Sequence, residues 1–155
     1  METDINIFNK KKEDAINIFS AQKEIYNPYF GQKIILNSDG FHHLQFSSRK
    51  ERTKSEQLLK FNLLPQALEI IRRSGTIQEY RNPVLVAIGK KSSKGEVAMK
   101  NVEYWGMIAI IGKFKVRTVL RRVGNGNITF WSVMPYSKIK NGQQKKMFGE
   151  GIEDE

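Results

Sequence analysis

Phe114-Lys-Val-Arg-Thr-Val-Leu-Arg-Arg-Val123, Gly124-Asn-Gly-Asn127 and Ile128-Thr-Phe-Trp-Ser-Val-Met134 read as one unit. The first segment alternates. Phe114, Val116, Thr118 and Leu120 fall on one side of an extended chain, and Lys115, Arg117, Val119 and Arg121 on the other. Asn and Gly tolerate positive φ, so Gly124–Asn127 predicts a tight hairpin turn. The third segment is the returning strand, and Pro135 is expected to end it. Such a hairpin is not stable alone; its apolar side needs more strands or a helix to cover it.

The sequence on the N-terminal side offers both. Val102 to Ile111 predicts a long apolar strand carrying Tyr104 and Trp105. Val84 to Ile88 predicts another, Gly75 to Tyr80 a short one, and Lys90-Lys-Ser-Ser-Lys-Gly95 a loop. Before these the period is helical. In Leu64-Pro-Gln-Ala-Leu-Glu-Ile-Ile-Arg-Arg73 the proline suits a first turn, Leu64, Ala67, Leu68 and Ile71 form a stripe, and the arginines suit the C-terminal dipole. Ser55 to Phe61 is also compatible with a helix, and Ser47 to Lys54 reads as a solvated, mostly basic stretch.

Lys33 to Asn37 predicts a strand followed by the turn Ser38-Asp-Gly40, and Phe41 to Phe46 a second short strand or a loop. A helix is expected from about Lys11 to Tyr26, stopped by Asn27-Pro-Tyr-Phe-Gly31. The expected fold class is α+β, with N-terminal helices packed on one face of a four- to five-stranded antiparallel sheet and the other face left to bind something. Residues 1–26 are expected to form a polar lead-in and helix, 27–137 the α+β domain, and 138–155 a mobile tail, basic and then acidic.

The chain of 155 residues, 39% hydrophobic and 27% charged, fits one globular domain able to bury a core without disulfides. It has no cysteine, which excludes disulfides and Cys-type zinc sites. No apolar run reaches the ~18 residues of a membrane helix, and the start, Met1-Glu-Thr-Asp4, lacks the basic-then-apolar order of a signal peptide. The net charge of +10 favours polyanionic partners, because Lys and Arg release counterions when they neutralise phosphates. There is no Gly-x-Ser-x-Gly elbow, no Walker loop and no Gly-x-Gly-x-x-Gly; Gly124-Asn-Gly126 belongs to a hairpin and precedes no helix.

Against that background His42 and His43, the only histidines, stand out. Cleaving RNA through its own 2′-hydroxyl needs a base, an acid, cations for the phosphorane and a grip on the nucleotide. Histidine suits the proton steps, arginine the phosphate, a serine hydroxyl a non-bridging oxygen, and an aromatic ring a base. His43 is the first candidate; the plain alternative is a half-buried histidine holding a carbonyl. On a strand only one of the two neighbours would reach a given site. Lys115, Arg117 and Arg121 form a basic stripe with no acidic neighbour on the same strand, and a solvated strand face is the alternative. Trp131 serves as a stacking platform or as core. Ser132, in an apolar strand, must find a hydrogen-bond partner.

Gly40-Phe-His-His-Leu44, Leu64 to Ile71, Tyr104-Trp-Gly106 and Lys115 to Gly126 leading to Phe130-Trp-Ser-Val-Met-Pro135 together resemble the phage-associated branch of the barnase–EndoU–colicin–RelE superfamily of RNA-cleaving domains, over about residues 31 to 136. The resemblance implies helices packed on a four-stranded antiparallel sheet, and a metal-independent endoribonuclease needing no cofactor. It also implies a toxin or effector role on tRNA or other translation-related RNA, in the cytoplasm of the producing or a target cell. Its histidine falls on His43, its strand arginine on Arg121 and its late-strand hydroxyl on Ser132, so these are the expected catalytic residues. His42, Lys115, Arg117 and Trp131 are expected to bind substrate, with His42 and Arg117 outside the direct correspondence. RNA is the expected partner, and an acidic inhibitor would suit a basic active face. The alternatives are a non-catalytic RNA-binding module and a protein-interaction module of a phage or mobile element.

Overall fold

A computed structural model describes residues 2–47, 50–88, 98–112, 114–140 and 143–146. The elements run α1 Glu2–Ala21, β1 Glu24–Asn27, β2 Gln32–Ile35, α2 Ser38–Gln45, α3 Lys54–Arg73, β3 Glu79–Ile88, β4 Ala98–Ile111, β5 Phe114–Val123, β6 Ile128–Lys140 and β7 Gln143–Lys146. The class is α+β. The sheet order is β1-β2-β6-β5-β4-β3, with β7 also paired to β6. Strands β3 to β6 form an antiparallel meander. The sheet is larger than the four or five strands expected and it is mixed, because β2 meets β6 in parallel at one pair, Ile35↔Thr129.

The helices cover one face. Phe61, Leu64, Leu68 and Ile71 of α3 join Ile34, Met107, Val116, Leu120, Phe130 and Val133 in the main core. Each such side chain contributes roughly 1.5–3 kcal/mol when fully buried. On the opposite face Val102, Tyr104 and Val119 form a smaller cluster against Val123 and Trp131. The alternation read along β5 therefore holds: Val116 and Leu120 point to the helices, Val119 away.

Several elements differ from expectation. Helix α1 starts at Glu2, inside the stretch read as a lead-in, because Phe8 is buried against Phe61 with ring centroids 5.8 Å apart. It stops at Ala21, and the residues that follow are a strand rather than its last turn, with Ile25 opposite Ile34. The turn between β1 and β2 is built on Asn27. Its Oδ1 accepts from the Phe30 amide at 3.0 Å, and its Nδ2 donates to the Ile71 and Ser74 carbonyls at 2.7 and 3.1 Å, satisfying the end of α3.

Phe41 to Phe46, expected as strand or loop, lies mostly in helix α2. Asn37 is its N-cap, accepting from the Gly40 amide at 3.1 Å, so Ser38-Asp-Gly40 is the first turn of a helix. The two helix-compatible segments around Leu63 are one helix. Thr53 caps α3 by accepting from the Glu56 amide at 3.2 Å, and Pro65 sits inside the helix, not in its first turn. The segment before α3, read as solvated, carries the buried Arg52.

Strand β6 runs through Pro135 instead of ending there. It contains two register shifts: Val119↔Ser132 is followed by Leu120↔Phe130, and Lys115↔Ser137 by Val116↔Pro135. Trp131 and Tyr136 are the extra residues. A bulge re-aims the side chain it carries, and Pro135 is tolerated beside the second one. The Gly124–Asn127 hairpin forms as read, with Gly124 at φ 56°. The loop at Lys90–Gly95 and the acidic end of the tail lie outside the described residues. Of the tail read as mobile, Gln143–Lys146 pairs with β6.

Candidate active site at the α2–α3–β6 junction

Because β2 leaves β6 after a single pair, α2 and α3 both pack along that strand. Gly40 lets α2 come this close: a Cβ there would stand 2.4 Å from the Phe130 carbonyl oxygen. His42 and His43 are then helix neighbours, about 100° apart around the axis, not opposite faces of a strand. His42 is exposed and stacks on Phe46 at 4.5 Å. His43 turns inward, 6% exposed, and stacks on Trp131 with ring centroids 4.1 Å apart and planes 19° from parallel.

Two cations that sequence reasoning did not single out complete the cluster. Arg52 donates through Nε to the His43 carbonyl at 3.0 Å and through Nη2 to His43 Nε2 at 3.2 Å. A guanidinium can only donate, so Nε2 is the unprotonated nitrogen of that ring. Lys60, 3% exposed, donates to Ser132 Oγ at 2.9 Å and to the Val133 carbonyl at 3.0 Å. Gln57 holds the backbone of Arg52. It lies one turn before Lys60 on α3 and donates to the Arg52 carbonyl at 2.7 Å. Contacts thus run from His43 to Arg52 and on to Gln57, from Lys60 to Ser132, and from Trp131 to His43. The only sequence signal for Lys60 was a lysine at a position where the helical period calls for a buried residue. For Arg52 there was none.

Arg121 joins from β5, its guanidinium carbon 4.0 Å from the Trp131 ring and 5.9 Å from that of Tyr104. Trp131 is therefore shared by His43 and Arg121, two of the three expected catalytic residues. Ser132, the third, is fully buried and held by Lys60.

The basic stripe is not a single surface. Arg117 is 1% exposed, ion-paired to Glu79 at 3.2 Å and placed over Tyr136 at 5.0 Å. Lys115 also lies over Tyr136, at 5.9 Å. Both sit toward the other end of β5, so the structure does not bring them to His43. Arg122 is paired with Glu103. The acidic relief missing along β5 comes from β3 and β4. Arg121 has no carboxylate partner among the described residues.

Burial tends to push the Glu103 carboxyl up, but hydrogen bonds from Tyr80 and Arg122 and the charge of Arg122 outweigh it and hold the group below its ordinary value. The Tyr80 phenol is correspondingly raised, chiefly by its bond to Glu103. This pair stabilises the sheet and stands apart from the His43 cluster. Among the described residues no group of three or more His, Cys, Asp or Glu side chains is placed to hold a metal ion, and no helix is long and apolar enough to cross a membrane.

No protein-family model, curated protein or solved structure matches the chain.

Proposed function

We propose that the protein is a metal-independent endoribonuclease of the phage-associated barnase–EndoU–colicin–RelE type, acting on tRNA or other translation-related RNA in the cytoplasm. The observation that carries this reading is the convergence of Arg52, Lys60 and Arg121 on the His43–Trp131–Ser132 group. Three cations around one histidine and one hydroxyl suit a phosphodiester whose charge grows in the transition state.

His43 Nε2 carries a lone pair and can take the 2′ proton once Arg52 turns to the phosphate. The 2′-oxygen attacks phosphorus, the bond to the 5′-oxygen breaks, water entering the opened site protonates that oxygen, and the products are a 2′,3′-cyclic phosphate and a 5′-hydroxyl. Lys60 occupies an acceptor site of Ser132 Oγ, which leaves the hydroxyl proton to be donated to a non-bridging oxygen. Substrate approaches over Arg121 and Trp131. Since His43 and Ser132 are buried, α2 and Arg52 must shift from β6 to admit the phosphate. RNA is the partner, and an acidic inhibitor fits the net charge of +10.

One observation favours a second reading, an RNA-binding module without cleavage: the complete burial of Ser132 under Lys60. The two readings part on a labelled RNA oligonucleotide and its 2′-deoxy counterpart in EDTA. A ribonuclease of this type cuts only the ribose strand. Salt-sensitive binding of RNA with no cutting selects the second reading, and cutting of the deoxy strand rejects 2′-hydroxyl attack altogether.

A further inference from the structure

Strand β3 is the last strand of the sheet, and among the described residues no strand pairs with its outer edge. A bare row of amides and carbonyls is a template for another strand, so folded proteins blunt such edges or use them. The other edges are blunted in recognisable ways. Strand β1 is four residues long. Strand β7 carries Lys145 and Lys146. Between Thr129 and Ser137 the open side of β6 meets α2 and α3. There Lys60 binds the Val133 carbonyl, and Pro135 has no amide to offer. Strand β3 has ten residues, and Pro83 falls at its register shift between Arg81 and Val84. Past that shift Val84-Leu-Val-Ala-Ile88 is apolar and unbroken. A second feature lies at the same place. The β4–β5 ladder ends at Val102↔Val123, while β3 and β4 stay paired as far as Ile88↔Ala98. Beyond Val102 the sheet is thus a two-stranded ribbon, which is marginal in water without a further strand or a packing partner. Met99, in that ribbon, is 52% exposed. From Asn82 to Gly89 the chain carries no charge, in a protein of net charge +10. Two copies can meet here without setting like charges opposite each other at the centre of the contact.

We propose that two copies of the chain join in solution through antiparallel pairing of β3 with β3. The inference does not rest on the ribonuclease reading. A twofold axis normal to the sheet lets both copies use the same edge, in the commonest closed symmetry of homo-oligomers. That axis sets one residue opposite its own copy. With the two Val84–Ile88 runs aligned, the residue is Val86, and Val84 faces Ile88 of the partner subunit. The ribbon becomes four-stranded, and both bare edges are paired at once. The His43 sites stay open, because β6 lies on the far side of β5 and β4 from the seam. At about 4.8 Å per strand, the two β6 strands stand roughly 34 Å apart across the joined sheet.

The test has two arms. In the first, sedimentation velocity of the full chain is measured from about 1 µM to 1 mM, at low and high salt. A monomer–dimer equilibrium with a micromolar Kd is expected, because the seam is smaller than a standard interface. Arg81 and Lys90-Lys91 flank the uncharged run, so salt screens their repulsion and should tighten the dimer severalfold. In the second arm, the absence of native cysteine lets single cysteines report the seam. Val84→Cys, Leu85→Cys, Val86→Cys, Ala87→Cys and Ile88→Cys are oxidised mildly beside Lys145→Cys as a control. Directly opposed residues stand about 4.5–5.5 Å apart at Cα, within disulfide reach. Cross-linked dimer is expected to peak at Val86→Cys, and a peak at any of the five positions supports the seam. Hydrogen exchange on the unsubstituted chain needs no variant to fold: amides of 84–88 are expected to gain protection as concentration rises. A monomer at the highest concentration overturns the proposal. So does a dimer that loosens with salt, or one that cross-links no better along β3 than at Lys145→Cys and protects no amide of 84–88.

Discussion

Lys60 and Ser132 lie 72 residues apart in the chain and meet at 2.9 Å, ammonium to hydroxyl, inside the domain. The contact joins the middle of α3 to the strand that carries Trp131, and it places a cation one residue from the ring on which His43 stacks. Lys60→Met keeps the aliphatic stem and removes the charge. RNA cleavage is expected to fall at least about 100-fold, the usual effect of losing one donor to a developing oxyanion. Stability should fall by about 1–3 kcal/mol, because Ser132 Oγ and the Val133 carbonyl lose their donor. Cleavage kinetics at a temperature well below the melting point check the first; a variant that cleaves like the wild type takes Lys60 out of the chemistry.

His43 is both a candidate base and a packed ring, so its truncation to alanine acts on folding as well as chemistry. His43→Ala removes the stack on Trp131 and the acceptor facing Arg52, and should cost roughly 1–3 kcal/mol. Urea denaturation measures this, and an unchanged midpoint would mean that the stack contributes nothing. His43→Asn, smaller but still able to accept from Arg52, is the better probe of catalysis.

Gly40 and Gly106 both sit where a Cβ would be crowded, with different neighbours. At Gly40 the obstacle is the Phe130 backbone oxygen at 2.4 Å; at Gly106 it is the Glu79 side-chain oxygen at 2.7 Å. Backbone in a sheet cannot step aside, whereas a carboxylate end can. Gly40→Ala should therefore destabilise by about 1–3 kcal/mol or more and push α2 off β6, with Gly106→Ala clearly milder. Thermal melts of the two variants side by side decide this, and the reverse order would contradict the close packing of α2.

The Tyr80–Glu103–Arg122 group gives a pH dependence of known sign. The Glu103 carboxyl is depressed in the fold, so its contribution is complete above the ordinary carboxylate value and is lost as pH falls through the depressed one. The Tyr80 phenol is raised, so its contribution is complete below the ordinary phenol value and disappears as pH rises through the raised one. Glu103→Gln is expected to flatten the acid limb of stability against pH, and Tyr80→Phe the alkaline limb. Parallel curves for variants and wild type would rule the group out as a source of either limb.

The β5–β6 hairpin was legible because its signals are local: a two-residue period, then Gly and Asn at the turn. The stripe of α3 was legible for the same reason, while its extent was not, since Pro65 looked like a start when the capping residue is Thr53. Helix α2 was missed because its start signals, Asn37 to Gly40, serve turns equally well. Of the site, His43, Trp131 and Arg121 were found as chemically distinctive residues, and the structure brings them together. Lys60 and Arg52 were not found, because a lysine in a helix and an arginine in a basic stretch look solvated until the fold buries them. Arg117 erred the other way: its partner Glu79 is 38 residues distant and invisible to local pattern.

The most direct measurement is incubation of the purified protein with total tRNA in EDTA, with wild type, Lys60→Met and His43→Asn in parallel and the fragment ends determined. Wild-type fragments are expected to end in 2′,3′-cyclic phosphates and 5′-hydroxyls, and those fragments are expected to be lost in both variants. Intact tRNA in every lane, or fragments with 5′-phosphates and 3′-hydroxyls, would contradict it.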